Sequence, residues 1–543
     1  MPGRDPSWRI TADGKVYRKG RKNYPNRDSY DGEFLDGLRH GRGMMKYHNA
    51  DVYNGEFERD LFHGFGTYQW GPYEDDDGNS IIGKRYEGDF QDGKRHGQGV
   101  FLMGDGNYYN GGFEKDMFHN VGTLRHKNGN IFTGEWARGK AHGKMDINFE
   151  NGDLYSGNMQ TGKFHGKGKY VWSNDQGFYD GQWERGLKHG KGVRLFNNGN
   201  KYIGNFSNGE MDGDGIMLYA NGDQYVGAWS HGHPQGQGVI KYAHGESYEG
   251  GFLHGFIFGS GKYSYIDGGY YEGEFKKLKV NKANGLEFPH PDGKRNGLGI
   301  RVWSNGTRYE GEWVDDKMSG NGTYTGVTGC QYLGTFWNGS KHGKGREEFG
   351  NVMGIKYVCP FGHRHQGTGY CCYDGDWERG YFHGSGEFTC SDGRKYVGEF
   401  YNGKRHGYGV QEYLQEGEAG DPDRLYIGGV GSLYRFKRYE GEWFEGWKEG
   451  QGKLYYVNGD VLEGGFHKGH PHGLIKHNFA YGTMKTRACI YERGIRKEWC
   501  PEIQKSTDAF AFLRSSTAAK NKKKPSITAD SVDKSNEPTP KPQ

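Results

Sequence analysis

Aliphatic side chains, proline and cysteine are all scarce in this 543-residue chain, and neither charge sign dominates it. Hydrophobic residues make up 33% and aromatics alone 15%, which leaves few aliphatic side chains for the thick core of a conventional domain. With 15 prolines, and with its 99 glycines not falling at every third position, the chain is no collagen triple helix. Wholesale disorder conflicts with 40 tyrosines, 31 phenylalanines and 13 tryptophans. A balance of 72 basic and 68 acidic residues supplies no overall field for nucleic acid. No stretch approaches the ~18 apolar residues of a membrane-spanning helix, and Met1 to Arg9 hold no signal-peptide core. The seven cysteines all lie from residue 330 onward, and reduced thiols in a cytoplasmic protein are expected.

What the chain has in abundance is one sentence, repeated. Tyr-x-Gly-x-Trp/Phe is followed by x-x-Gly-x-x-His-Gly-x-Gly, as in Tyr86 to Gly99, Tyr179 to Gly192 and Tyr396 to Gly409. The leading position recurs at 30, 53, 86, 109, 132, 155, 179, 202, 225, 248, 271, 309, 332, 373, 396, 439 and 462, with Phe132 and Leu462 in place of tyrosine. Eleven steps are of 23 residues and one of 24. Alternation along a strand puts positions 1, 3 and 5 on one face, so two rings flank a glycine whose missing side chain leaves room for a neighbouring ring. The second strand alternates too, as at Tyr68 and Trp70 or Tyr170 and Trp172. Asn128-Gly129, Asn151-Gly152, Asn221-Gly222, Asn305-Gly306 and Asn458-Gly459 predict tight hairpin turns with positive φ at both central residues, and the His-Gly end predicts a longer glycine-rich turn. Strand, turn, strand, turn gives an all-β fold: an elongated, single-layer, twisted antiparallel β-meander, stabilised by nearest-neighbour contacts.

This text at 23-residue spacing resembles the MORN repeat (membrane occupation and recognition nexus) from about residue 30 to 475. The resemblance implies a solenoid-like sheet with a grooved aromatic face. Family members serve as cytoskeletal scaffolds, radial-spoke-head components of axonemes, junctional-membrane tethers and regulatory segments of signalling proteins. A chain built almost wholly of repeats is most similar to the cytoskeletal and axonemal members, so a cytoskeletal location, in a cilium or flagellum, is expected by analogy.

The organisation follows from the gaps. Residues 1–29 hold a degenerate half-repeat that caps the first hairpin, and 30–475 hold seventeen repeats. Four longer steps place insertions near 71–83, 276–292, 346–370 and 412–436. Residues 476–517 contain a further degenerate repeat and a short helix over Ser506 to Leu513, and 518–543, rich in lysine, serine and proline, form a disordered basic tail.

Three sets of residues are candidates for function. A partner protein is expected along the aromatic groove, against Tyr30, Phe34, Tyr86, Phe90, Tyr179, Trp183, Tyr202, Phe206, Tyr225, Trp229, Tyr309, Trp313, Tyr396 and Phe400; the alternative for each ring is packing between repeats. His40, His96, His189, His342 and His406, with Arg39, Arg95, Lys188, Lys341 and Arg405 beside them, suggest an edge that meets anionic phospholipid, or else a row of locally packed turn residues. Cys359, His363 and Cys371 are weak metal candidates, since their spacing matches no standard zinc pattern and free thiols suit them better. No nucleophile, base and orienting group assemble, and insertions of this size hold no catalytic domain. A non-enzymatic scaffold without cofactor is expected, the alternatives being a phospholipid-binding adaptor and a regulatory subunit of a separate enzyme.

Overall fold

In the computed structural model, residues 8–74, 80–81, 83–276, 278–280, 287–289, 293–350, 357–358, 364–365, 370–413, 436–482 and 485–499 are described. The chain divides into two units, residues 1–317 and 318–543. Both are all-β antiparallel meanders, and neither contains a helix among its described residues. In the first unit Ser29–Leu35 pairs with Leu38–Lys46, which pairs with Val52–Glu58, and the pattern continues through to Arg308–Val314. Val16–Asn23 adds a strand beside Ser29–Leu35, as expected of a capping half-repeat. In the second unit the same pairing runs from Gln331–Trp337 and Ser340–Gly350 to a last hairpin, Thr486–Glu492 with Ile495–Trp499. Three of the insertions carry a minimal hairpin: Tyr73–Glu74 with Ser80–Ile81, Leu278–Val280 with Glu287–Pro289, and Tyr357–Val358 with Arg364–His365. The helix expected over Ser506 to Leu513 and the tail 518–543 lie outside the described residues.

The two turns are the reverse of the sequence expectation. The tight two-residue turn sits between the strands of a repeat, as at Asp36-Gly37 (φ 50° and 82°), Asp92-Gly93 (51° and 78°) and Asn402-Gly403 (48° and 80°). Positive φ at both central residues is the geometry whose twist matches antiparallel strands, and asparagine, aspartate and glycine tolerate it best. At Asn128-Gly129 only the glycine has positive φ, 96°. There the Gly129 amide donates to the His126 carbonyl at 3.0 Å, closing a wider loop between repeats. The His-Gly segment is no turn; it is a bulge inside the second strand, where pairing between Arg95 and Gly99 slips. Gly97 takes φ 54° in this bulge, and the Asp89 carboxylate accepts from the Gln98 amide at 2.9 Å. The acid at position 4 of the repeat thus serves the bulge.

One packing motif recurs throughout. The leading tyrosine lies flat across two glycines that face each other on adjacent strands, such as Gly55 and Gly66 beneath Tyr53. A Cβ on Gly55 would come within 2.5 Å of both the Tyr53 hydroxyl and the Gly66 Cα. The hydroxyl donates to the carbonyl three residues on, Tyr53 to Glu56 at 2.8 Å and Tyr179 to Gln182 at 2.7 Å. Each tyrosine also receives ring edges from its own repeat and the next: Tyr30 meets Phe34 at 5.0 Å and Phe57 at 5.1 Å, both edge-on. Tryptophan at the fifth position adds a bond backward, Trp183 Nε1 to the Gly168 carbonyl at 2.9 Å. Wide loops are coupled in series, because Asp51 Oδ1 accepts from the Gly71 amide and Asp153 Oδ1 from the Ser173 amide, at 2.8 and 2.7 Å.

These contacts rank two kinds of glycine. Gly66→Ala, which drives a methyl into the Tyr53 ring, is expected to cost about 1–3 kcal/mol by overpacking. Gly37→Ala, with open space around it but φ 82°, is expected to cost about 1 kcal/mol from the left-handed backbone alone. Urea unfolding of the two variants checks the order.

Candidate functional site

The fourteen rings expected to line a groove are all buried, between 0% and 7% exposed. Their faces are covered by glycine backbone and by one another, so the expectation of an open aromatic groove is corrected: these rings are the core of the strip. Of the two readings available from sequence, packing between repeats is the one their placement fits. What the ring-bearing face still presents is the set of half-buried positions between the rings.

The basic neighbours of the histidines occupy those positions, which corrects the idea that they extend a cationic edge. Arg39 projects onto the ring face, its guanidinium 5.3 Å from the Phe57 ring centre, with Nε donating to Asp60 Oδ1 at 2.9 Å and Nη2 to the Asp60 carbonyl. Arg95 repeats this with Asp116 and the Phe101 and Phe113 rings, and Arg295 with Asp316 and Trp313. Lys341 contacts Glu347 and lies 4.9 Å from the Trp377 ring. Arg405 lies 4.3 Å from the Trp443 ring. Such cations over rings gain cation–π attraction while their heads stay paired. The pattern was legible as spacing, since each precedes the repeat's histidine position by one residue (filled by Asn296 after Arg295), but its direction depends on the bulge that follows.

The histidines themselves sit on the opposite side. His40, His96, His342 and His406 are half-buried; His189 is exposed, with Nε2 3.4 Å from Glu184 Oε2. His63, His119 and His383 make the same contact with Glu58, Glu114 and Glu378, at 3.2–3.3 Å. Elsewhere an exposed ring replaces the acid: Trp337 packs on His342 at 5.7 Å and Tyr401 on His406 at 5.6 Å. Six histidines of the row are therefore engaged in local pairs, four with glutamate and two with an exposed ring.

Of the metal candidates, Cys359 and His363 lie outside the described residues. Cys371 is bonded to Cys390 across two paired strands with Cα atoms 4.0 Å apart, so it is no thiol ligand, and the expectation of reduced thiols fails at this pair. Cys330 and Cys372 are free, and burial pushes the Cys372 thiol up. Among the described residues no group of His, Cys, Asp and Glu is placed to hold a metal.

The outer face carries a feature that residue-by-residue reading missed. Val193, Ile203, Ile216, Val226 and Val239 are successive cross-strand partners, forming an apolar row amid polar neighbours. Each residue alone is an ordinary strand position; only register joins them. Next to this row lies a shallow trough of about 810 Å³, floored by glycine backbone and bordered by Glu249, Lys262, Glu272 and Glu310.

Matches to the MORN repeat family model fall on sixteen segments, from 30–52, 53–73 and 86–108 through 396–413 and 439–461, and together span more than half of the chain. The chain belongs to the MORN repeat family. Its hairpin at Val461–His467 and His470–Asn478 lies, beyond its first residue, outside the matched segments yet buries Leu462 and Phe466 in the positions that Tyr and Phe occupy elsewhere. Curated relatives of this MORN-repeat chain include Alsin of Rattus norvegicus, 38% identical over 106 residues, 19% of this chain and 6% of Alsin. The ALS2 C-terminal-like protein of Homo sapiens is 33% identical over 112 residues, 20% of this chain and 10% of that protein. The chain therefore spans a tenth or less of these relatives' length. Among solved structures, the TCP10 domain of Danio rerio CPAP is 14% identical with a TM-score of 0.23, covering 39% of this chain and 93% of that one. The SAS-4 TCP domain of Drosophila melanogaster is 16% identical with a TM-score of 0.20, covering 28% and 84%.

One loop pair in the second unit is titratable. His477, 7% exposed, stacks on Phe479 and places Nε2 3.1 Å from Asp460 Oδ2, where Tyr68 and Tyr170 bond Asp51 and Asp153 in other repeats. Burial pushes the His477 imidazole down, against the pull of Asp460. Burial opposes ionisation of Asp460 as well, yet hydrogen bonds from the Ala480 amide, His477 and Asn458 hold its carboxyl below the usual range. A histidine depressed by folding destabilises the native state as pH falls below its ordinary value near 6.5, with a slope of up to about 1.4 kcal/mol per pH unit. Asp460 adds a further loss only in the acid range below about 4. His477→Tyr is expected to keep the bond to Asp460 and reduce the fall between pH 7 and 5, the remainder including that of His470, which burial also pushes down, as read by thermal melting across that range.

Proposed function

We propose that this MORN-repeat protein is a non-catalytic scaffold that holds partner segments against the ring-bearing face and the insertion loops. The observation that carries the reading is the economy of the repeat. Among the described residues its histidines, acids, tyrosines and basic residues recur in pairs that secure the bulge, the turn or the next hairpin. Chemistry-bearing side chains so engaged leave recognition as the use of the two faces.

We place this scaffold in the cytoskeleton, in a cilium or flagellum with a radial-spoke-like role, on the analogy of relatives built almost wholly from such repeats. Anionic phospholipid is the weaker partner, because the cations that would extend the histidine edge turn onto the rings. A tagged chain expressed in ciliated cells is expected to stay with the demembranated axoneme after detergent extraction. Complete release into the detergent-soluble fraction, or pelleting of the purified chain with phosphoinositide vesicles in low salt, would contradict the assignment.

A further inference from the structure

In four repeats the inward cation is met by a carboxylate, whereas in the repeat that begins at Tyr179 no carboxylate among the described residues meets it. One residue before the repeat's histidine position, which Asn296 fills after Arg295, Arg39, Arg95 and Arg295 are each met by the aspartate of the following tight turn, Asp60, Asp116 and Asp316. Lys341 is met by Glu347, six residues along its own strand. In the repeat that begins at Tyr179 the corresponding cation is Lys188, but the following turn supplies Gly209 in place of aspartate, its amide donating to the Lys188 carbonyl as the Asp60 amide does to that of Arg39, and the residue at the Glu347 position is a second cation, Arg194. Both lie on the ring face, since Lys188 pairs across the sheet with Trp183, and Arg194 with Tyr179 and Tyr202. The Arg194 guanidinium stacks 3.5 Å from the Trp172 ring centre, and Nη1 is buried without a hydrogen-bond partner among the described residues. Lys188 Nζ lies 6.0 and 5.8 Å from the Tyr179 and Phe206 ring centres. Both are half-buried, and no carboxylate among the described residues forms an ion pair with either. Desolvation pulls the Lys188 ammonium down, and Arg194 adds repulsion.

Resting on the scaffold reading above, we propose that Lys188 and Arg194 form an anchor for a carboxylate carried by an acidic segment of a partner protein lying across the ring face. Two desolvated cations on rings, without internal counter-charge, are stabilised by an anion that arrives with the ligand. The stacked guanidinium is held in one plane, which favours a bidentate carboxylate, and Lys188 supplies a second point charge. A membrane surface fits less well, because binding anionic bilayers takes clusters of about four to eight basic residues, and here two sit between rings.

The test uses the full chain and two fluorescein-labelled peptides, one alternating glutamate with valine and the other glutamine with valine, followed by anisotropy. The glutamate peptide is expected to bind at least about tenfold more tightly, a difference of about 1.4 kcal/mol, and to weaken with salt. Two variants supply the missing charge from within: Arg194→Glu recreates the Lys341–Glu347 arrangement, and Gly209→Asp recreates that of Arg39 with Asp60. Each is expected to erase the preference for glutamate while leaving the melting temperature unchanged or raised, since both arrangements already fold elsewhere in this chain. Equal binding of the two peptides, or an unchanged preference in both variants, overturns the anchor alone and leaves the scaffold reading standing. Binding of neither peptide overturns the anchor, and axonemal retention then decides the scaffold separately. Arg194-dependent pelleting with phosphatidylserine vesicles, without a glutamate preference, reassigns the site to lipid and overturns the proposal.

Discussion

The structure depends on a tyrosine ring lying flat on two facing glycines. A ring placed over bare backbone buries its face without a second layer above it, which is how a chain with so few aliphatic residues holds together. Everything else in the repeat serves that contact. The fifth-position ring closes one edge of the tyrosine, the next repeat's ring closes the other, and the hydroxyl bonds the carbonyl three residues along. Because each tyrosine touches only its own hairpin and the adjacent one, stability is a chain of local terms.

That arrangement also determines where charge goes. In the repeats led by Tyr30, Tyr86 and Tyr271 the strand after the tight turn points one basic side chain inward, where the ring faces attract it and an aspartate of the following turn neutralises it. A charge turned inward is expensive to leave unmatched, so the pairing is part of the fold rather than of binding. Recognition is then sought where the pairing lapses. In the repeat led by Tyr179, glycine at 209 and arginine at 194 interrupt it together, and the interruption lies between rings already in place.

Much of this was legible in the sequence. Spacing and alternation give the meander, the ring pairs and the glycine that accommodates them, since each follows from period two and from the absence of a Cβ. The location of the insertions also follows from counting. Turn chemistry was harder to assign: both ends of the hairpin carry Asn-Gly or Asp-Gly, and only the backbone distinguishes a two-residue turn at Asn402-Gly403 from a wider loop at Asn128-Gly129. The bulge was illegible for the same reason, and with it the direction of Arg39 and its equivalents. The rings at Tyr30 or Trp183 read equally well as a binding groove or as core, because a single layer leaves the degree of burial to ring-on-glycine contact. Disulfide pairing of Cys371 with Cys390 depends on the register of two strands separated from the regular spacing by an insertion.

Hydrogen exchange on a Gly215→Ala variant tests the central claim most directly. Gly215 faces Gly204 beneath Tyr202, so a methyl there displaces that ring. The account predicts loss of amide protection in 201–218 and in the adjoining strands 187–196 and 224–230, with protection at 86–125 as in the natural chain. Loss of protection throughout residues 86–275, or no change near 215, would contradict it.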